Sequence, residues 1–594
     1  MIQFRMHSKR ITILLGLSLA PILLAHATNW QVAEHEPLGG ESADGTVQHP
    51  FATISQAAAK AAPGDTVTIR DGIYREQITV KQSGSPEAPI IFTTSPGAHV
   101  VVTGADAITG WQKVPGETPI YRVPWTHKFI GWTKNMTHPD DEYHRLIGRC
   151  EQVAIDGYLF RQVLAVDQLA PGAFFADTEN QALEVWDSGY QDLNKVLVEA
   201  SVRAELFHVD GDYVAVRGLN FRFAANMAQH GAVVLEGNHD TLEDCTFESM
   251  NSSGATITGT NQVIRHCIFR DNGQLGFGAN GAHNLLLTEC RVENNNTKNF
   301  SRGWEAGGDK LVLCRDAVIE RSQFLRNRGT GIWFDIGNEN CTVRQCLIAD
   351  NEDAGIFDEI SYGLQAHDNV IVGNGFAPTG GAWGAQAGIT LSSSPESVIE
   401  QNLIFGNREG FNFREQNRTT VRIGGKVEEP IWNHDQTIRR NIIADNRDAQ
   451  IWGWFDMKDG RQWPAKGFGQ PSPPADNSAK PGDIAGDYLA TNSAGQPVNL
   501  TLERLRLNFA ENIYYADAGQ GWFEWGVSWG QHKSYAQLNG FQTDLGIDHG
   551  SRVAPLVFAN PEALDFRLEA GAMAAVKQNY PAGPVPGVLL GAQR

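Results

Sequence analysis

Through the central part of the chain, apolar residues recur in short β-rich runs separated by Asn and Gly turns, and no unit carries the 3.6-residue periodicity of an amphipathic helix. The runs repeat. Cys245, Cys267, Cys290, Ser322, Cys346, Asn369, Asn402 and Asn441 occupy equivalent places, with separations of 22, 23, 32, 24, 23, 33 and 39 residues. The base period is therefore 23 or so, with additional loop in three of the units. Five residues after seven of these eight positions stands an Asn: Asn272, Asn295, Asn327, Asn351, Asn374, Asn407 and Asn446. A Gly and an apolar residue often follow, as in Gly331-Ile332-Trp333-Phe334 and Gly355-Ile356-Phe357.

This pattern selects one architecture. Leucine-rich repeats would show their own Leu spacing, and propeller blades need about 40 residues or more. A 23-residue rung with stacked Asn predicts an all-β, right-handed parallel β-helix, a solenoid in which buried amides hydrogen-bond up and down the stack. Before the repeat, Ser55 to Ala62 is Ala-rich and predicts a helix capping the open end, with Pro63-Gly64-Asp65-Thr66-Val67 and Gly72-Ile73-Tyr74 starting the first strands. The expected organisation is residues 1–27 as export signal, 28–104 as cap and first rungs, and 105–200 as an inserted β-rich region. The main helix with its catalytic rungs follows at 201–460, then a Pro- and Gly-rich loop at 461–510 and terminal rungs with a cap at 511–594.

The signal assignment rests on Arg5, Lys9 and Arg10, the apolar stretch from Ile11 to Ala25, and the small residues of Ala25-His26-Ala27. No later apolar run reaches the roughly 18 residues of a membrane span, so a secreted or periplasmic protein is expected, with no membrane insertion after signal removal. Seven Cys in an exported chain suggest disulfides. However, Cys245, Cys267, Cys290 and Cys346 share one repeat position, which reads as a buried small hydrophobe. A formal charge of −20 argues against nucleic acid as a partner. Oligomeric state is left open.

Comparing outward positions across rungs gives the candidate chemistry. In Ile332-Trp333-Phe334-Asp335-Ile336, alternation points Ile332, Phe334 and Ile336 inward and Trp333 and Asp335 outward. One rung later Phe357 and Glu359 point outward, and Asp358 points inward as a buried supporting acid. Asp335 and Glu359 each lie four residues after the rung Gly, so stacking places the two carboxylates about 5 Å apart. That gap suits a nucleophile and an acid/base in a retaining glycosidase. Their repulsion would raise one pKa, as a general acid needs. A solvated sheet face bearing two ordinary acids is the plainer reading, but like charges directly opposite are unfavourable. The preceding loop carries Trp304, Glu305 and Lys310, with Lys310 expected near the column of Asp335 to hold a carboxylate ionised and Glu305 to meet a sugar hydroxyl. Ten of the 15 Trp lie from residue 304 onward, and Trp304, Trp333 and Trp383 are the candidates for sugar stacking. Arg414 occupies the same outward column four rungs from Lys310. No zinc or phosphate-loop motif is present, so no cofactor is required, and a structural Ca²⁺ is compatible with the acidic composition.

The motifs Trp304-Glu305-Ala306-Gly307-Gly308-Asp309-Lys310, Gly331-Ile332-Trp333-Phe334-Asp335 and Gly355-Ile356-Phe357-Asp358-Glu359-Ile360-Ser361-Tyr362 resemble a group of bacterial β-helix proteins. The last two also resemble the catalytic rungs of retaining β-helix β-xylosidases. That resemblance implies Asp335 as nucleophile and Glu359 as acid/base, and covers only these rungs as chemistry. The leading expectation is an exported glycoside hydrolase acting on a plant or algal polysaccharide or its oligosaccharides. A second is a polysaccharide lyase with Lys310 as base and Arg302, Arg326 or Arg328 neutralising a uronate. A third is a non-catalytic glycan-binding β-helix.

Overall fold

The computed structural model describes residues 27–34, 43–129, 148–187, 189, 192–378, 386–416, 418–455, 505–526, 532–563 and 565–577. Almost all of the proposed signal, Trp383 and most of the proposed 461–510 loop lie outside the described residues.

Each rung supplies one strand to each of three sheets. In one rung these are Thr241–Glu243, Thr246–Glu248 and Ser253–Ile257. Among the described residues the three sheets have 13 strands each, paired parallel rung to rung apart from one terminal antiparallel strand in the third. The interior is a set of side-chain columns. Phe221, Phe247, Phe269, Val292, Phe324, Ile348, Ile371, Ile404 and Ile443 stand in register in the second sheet, all inaccessible to solvent. Parallel register stacks like upon like: Phe247 and Phe269 lie face to face with ring centroids 4.5 Å apart.

The equivalent positions found in the sequence mark the corner between the first two sheets. Just before each, one residue adopts the left-handed conformation: Asp244, His266, Glu289, Arg321, Gln345, Asp368, Gln401 and Arg440 have φ between 47° and 58°. This costs of order 1–2 kcal/mol per residue and is held in place by the buried groups that follow it. At the next corner, Asn272, Asn295, Asn327, Asn351, Asn374, Asn407 and Asn446 form an unbroken amide ladder, with Nδ2–Oδ1 distances of 2.9–3.0 Å. A second ladder runs Asn369, Asn402, Asn441 and Asn512. All seven Cys are buried and free.

The Ala-rich run forms only the five-residue helix Ile54–Ala58, shorter than expected. It is closed by a Thr53–Gln56 capping box and packs Ile54, Ala57 and Ala58 into the main core. Between residues 105 and 201 the chain leaves the coil to form two small sheets around a separate core that includes Trp111, Tyr121, Phe174 and Leu183.

Candidate functional site

Two outward columns of the third sheet build a cavity of about 670 Å³. One runs Thr256, Gly278, Lys310, Trp333, Phe357, and the other Asn280, Val312, Asp335, Glu359, Ser392, Arg414. Strands Ile332–Asp335 and Ile356–Glu359 pair Ile332 with Ile356, Trp333 with Phe357 and Phe334 with Asp358, which carries Asp335 and Glu359 to one place on consecutive rungs. Both line the cavity and are only 8% and 9% exposed, because loops from either side roof the sheet face.

Each carboxylate has its own cation. Lys310 Nζ lies 2.9 Å from Asp335 Oδ2 and 4.0 Å from Glu305 Oε2, and donates to the Trp304 carbonyl at 3.1 Å. Arg418 Nη1 lies 2.6 Å from Glu359 Oε1. Burial, and to a lesser degree the neighbouring Glu359 charge, push the Asp335 carboxyl above the usual carboxylate range, while Lys310 pulls it back. Burial also raises Glu305, opposed by Lys310 and by the 2.7 Å hydrogen bond from Gln229 Nε2.

Two inward acids support this site from below. Asp309 is wholly buried, its Oδ1 accepting the Trp333 amide N–H at 2.9 Å, and desolvation drives its pKa far up. Asp358 points inward as expected; burial pushes it up to about 7, against hydrogen bonds from the serines beside it, Ser397 Oγ lying 3.4 Å from Oδ2.

Other expectations need correction. Lys310 is not in the column of Asp335: the register sets Val312 there and Lys310 beside Trp333, and the long side chain crosses to reach the carboxylate. Trp333 presents no open face, since Lys310 Nζ sits 4.1 Å from its ring centroid and Phe357 stacks at 5.4 Å on the neighbouring rung. Ile336 does not turn inward. The strand ends at Asp335, and Ile336, at φ 55°, lines the cavity. Arg414 is in the column of Glu359, two rungs on, but is buried against Trp454 and does not line the cavity. Trp304 does line it, at the end of the short helix Arg302–Glu305. Of the arginines considered for a uronate, Arg302 pairs with Glu352 at 3.0 Å and Asp353 at 3.4 Å, and Arg326 pairs with Glu293 at 2.7 Å. Arg328 is exposed, and none of the three lines the cavity.

Sequence reasoning missed Arg418. It opens the antiparallel hairpin Arg418–Val421 and Glu428–Ile431, which folds back over the preceding rungs as far as the one carrying Asp335. Arg422 clamps it by pairing with Glu339 at 3.1 Å and lying 3.9 Å over the Tyr362 ring. Gly337, at φ 67°, is required beneath it: a Cβ there would come within 2.2 Å of the Val421 carbonyl oxygen. The available signal was the 39-residue separation between Asn402 and Asn441, which marks an insertion opposite the acidic pair.

Comparison with known proteins agrees with this architecture. A family model described as a right handed beta helix region matches residues 206–371, and one described as periplasmic copper-binding protein (NosD) matches residues 298–448. The structure of XylC in complex with xylose superimposes with a TM-score of 0.62, at 19% identity, over 82% of this chain and 84% of that one. The chain is a right-handed parallel β-helix. This β-helix is also similar to a protein described as a glycoside hydrolase, with TM-score 0.41 and 12% identity over 72% and 94% of the two chains. A mannuronic acid specific family 6 polysaccharide lyase from human gut microbiota gives TM-score 0.41 and 12% identity over 89% and 96%. By sequence it is 37% identical over 91 residues to the uncharacterized protein YwoF of Bacillus subtilis (strain 168), a match spanning 15% of this chain and 19% of that protein. Among the described residues no helix is long and apolar enough to cross a membrane.

Proposed function

We propose that this β-helix is an exported glycoside hydrolase that cleaves a polysaccharide or oligosaccharide by a two-carboxylate, retaining mechanism. The observation that carries the reading is the placement of Asp335 and Glu359 on consecutive rungs of one cavity, each against a separate cation. Adjacent parallel strands lie about 4.8 Å apart, which suits a direct nucleophile better than the wider gap needed to seat a water between two carboxyl groups.

In this reading Asp335 attacks the anomeric carbon and becomes the glycosyl ester. Lys310 stabilises the carboxylate before attack and again as the ester bond breaks, and Trp333 and Trp304 fix the ammonium from two sides. Glu359 protonates the departing oxygen and then takes a proton from the incoming water, with Arg418 as counter-ion whenever it is a carboxylate. Glu305, held by Gln229 at the cavity wall, accepts a hydrogen bond from a sugar hydroxyl. A lyase reading asks Lys310 to be a neutral base. Its Nζ is instead engaged by a carboxylate at 2.9 Å, a carbonyl at 3.1 Å and an aromatic face, rather than directed at a substrate C–H.

The test is a mass-spectrometric product screen of the purified protein on neutral and uronate-containing polysaccharides, with ultraviolet absorbance followed in parallel. Products that have gained water, lost in Asp335→Asn and Glu359→Gln, support the reading. Unsaturated products without added water refute it.

A further inference from the structure

A second cavity, also about 670 Å³, lies where the inserted β-sheets meet the corners of the coil. Tyr158, Phe160 and Gln162 come from the insert, while Ser249, Asp271 and Lys298 come from the coil. The insert offers aromatic surface at the mouth: Tyr158 is 78% exposed and Leu159 beside it 39%. Both stand at the mouth of the one cavity, where an aromatic face can pack on the apolar face of a pyranose.

The floor is polar. Lys298 Nζ donates to the Asn251 side-chain carbonyl, and reaches Gln162 Oε1 and the Glu151 carbonyl only at 3.5 Å, the outer limit of a hydrogen bond. Among the described residues no carboxylate lies within ion-pair distance of it. Two of its three N–H donors are thus weakly used and free to turn to a ligand oxygen at ordinary distance. Glu151 is occupied, accepting from Gln162 Nε2 at 2.8 Å. Burial brings the Lys298 ammonium down to about 8, so the charge is held at a cost that a ligand acceptor would relieve.

We propose that this cavity is an accessory glycan-binding site, separate from the acidic pair, in which Tyr158 stacks on a sugar ring of an oligosaccharide segment and Lys298 donates to its oxygens. The volume exceeds that of one monosaccharide and suits a segment of two or three rings. The proposal rests on the carbohydrate-active reading of the chain, though not on its reaction type. It also links the two cavities. Thr297, Lys298 and Asn299 line the second, while Gly303, Trp304 and Glu305 line the first, so one loop forms part of both walls.

The experiment is isothermal titration of the Asp335→Asn protein, blocked in turnover, with xylo-, cello-, manno-, galacturono- and mannurono-oligosaccharides of three to six units. Two binding events are expected for at least one of these sugars. Tyr158→Ala should weaken one of them by about tenfold or more and spare the other. Because Tyr158 is exposed, that variant should retain the parent's melting temperature, and Lys298→Met gives a second reading from the floor. A single event unaffected by either variant overturns the proposal, as does no sugar responding to Tyr158→Ala. A shift of oligomeric state in Tyr158→Ala, in place of lost sugar binding, likewise overturns it. Two binding events with no hydrolysis by the active protein would sink the proposed reaction and leave this site standing; hydrolysis with one binding event would do the reverse.

Discussion

Replacing Lys310 with Met separates the hydrolase and lyase readings most sharply, because the structure gives Lys310 opposite jobs in each. Met keeps the stem that packs on Trp333 and removes the charge. Unit charges 2.9 Å apart attract by about 6 kcal/mol at an effective dielectric of 20, which is a ceiling. Breaking one side of a buried pair more often costs about 3–5 kcal/mol. The sign follows from the forces on Asp335. Burial pushes its pKa up, Lys310 pulls it down and Glu359 pushes it up again, so the variant removes the main downward pull and leaves only the weaker one from Arg418. A nucleophile must be ionised, and the acid limb of kcat/KM therefore moves to higher pH. Measured from pH 4 to 9 on the substrate found in the product screen, Lys310→Met should lose 100-fold or more at the acid end. At the alkaline end, where Asp335 ionises without help, the loss should shrink to about tenfold. Each tenfold is about 1.4 kcal/mol, so the difference between the two ends lies well within the estimated pair energy. A loss equal at every pH would refute the argument, and complete loss at every pH would point to Lys310 as the base.

Three further outcomes follow from the same structure. Asn327→Ala removes a rung from the amide ladder, so that Asn295 Nδ2 loses its acceptor at 2.9 Å and Asn351 Oδ1 its donor at 2.9 Å; urea unfolding should show a loss of about 2–4 kcal/mol, and a loss below 1 would mean the ladder is incidental. Gly337→Ala forces a Cβ against the Val421 carbonyl at a left-handed position, so limited proteolysis should cut faster between residues 418 and 431 and kcat/KM should fall. Unchanged cleavage would show that the hairpin is not seated by this contact. Asp358→Asn should flatten the pH dependence of stability. The carboxyl ionises near 3.8 when unfolded and near 7 when folded, so the native state retains a proton that the unfolded chain loses, and wild-type stability falls as pH rises across that window. Melting temperatures of variant and wild type should match near pH 4 and diverge in the variant's favour at pH 8; a constant gap would exclude Asp358 as the source.

The fold was legible because a parallel coil enforces repetition. An amide ladder works only if each rung presents the same amide at the same corner, so Asn272 through Asn446 had to recur at the rung period. The acidic pair was legible for the same reason: equal offsets from Gly331 and Gly355 become adjacency once the strands pair in register. What escaped were contacts made across the repeat. Lys310 follows a long loop that shifts its register, so repeat spacing gives neither its column nor the direction of its long side chain. The closure of both faces of Trp333 depends on what its two neighbours are, which alternation does not encode. Arg418 reaches Glu359 through a hairpin that folds back over the preceding rungs, and no local pattern specifies where a hairpin returns.

The repeat also explains why the chemistry lies where the period fails. Stacked strands bring like positions together, and at Asp335 and Glu359 this sets two carboxylates on consecutive rungs of one buried cavity, where like charges repel. Elsewhere the coil pairs opposite charges within a column, as at Glu243 and Arg265 or Glu320 and Arg344, but the column neighbours of the acidic pair are Val312 and Ser392. Both cations come instead from beside interruptions: Lys310 from the strand that follows the loop carrying Trp304 and Glu305, and Arg418 from the hairpin inserted between Asn402 and Asn441. Two interruptions of the period, one on either side of the acidic pair along the coil, thus accompany a cation on each carboxylate. In the reaction proposed above each acid carries a negative charge at some step, and each then has its own cation to meet it.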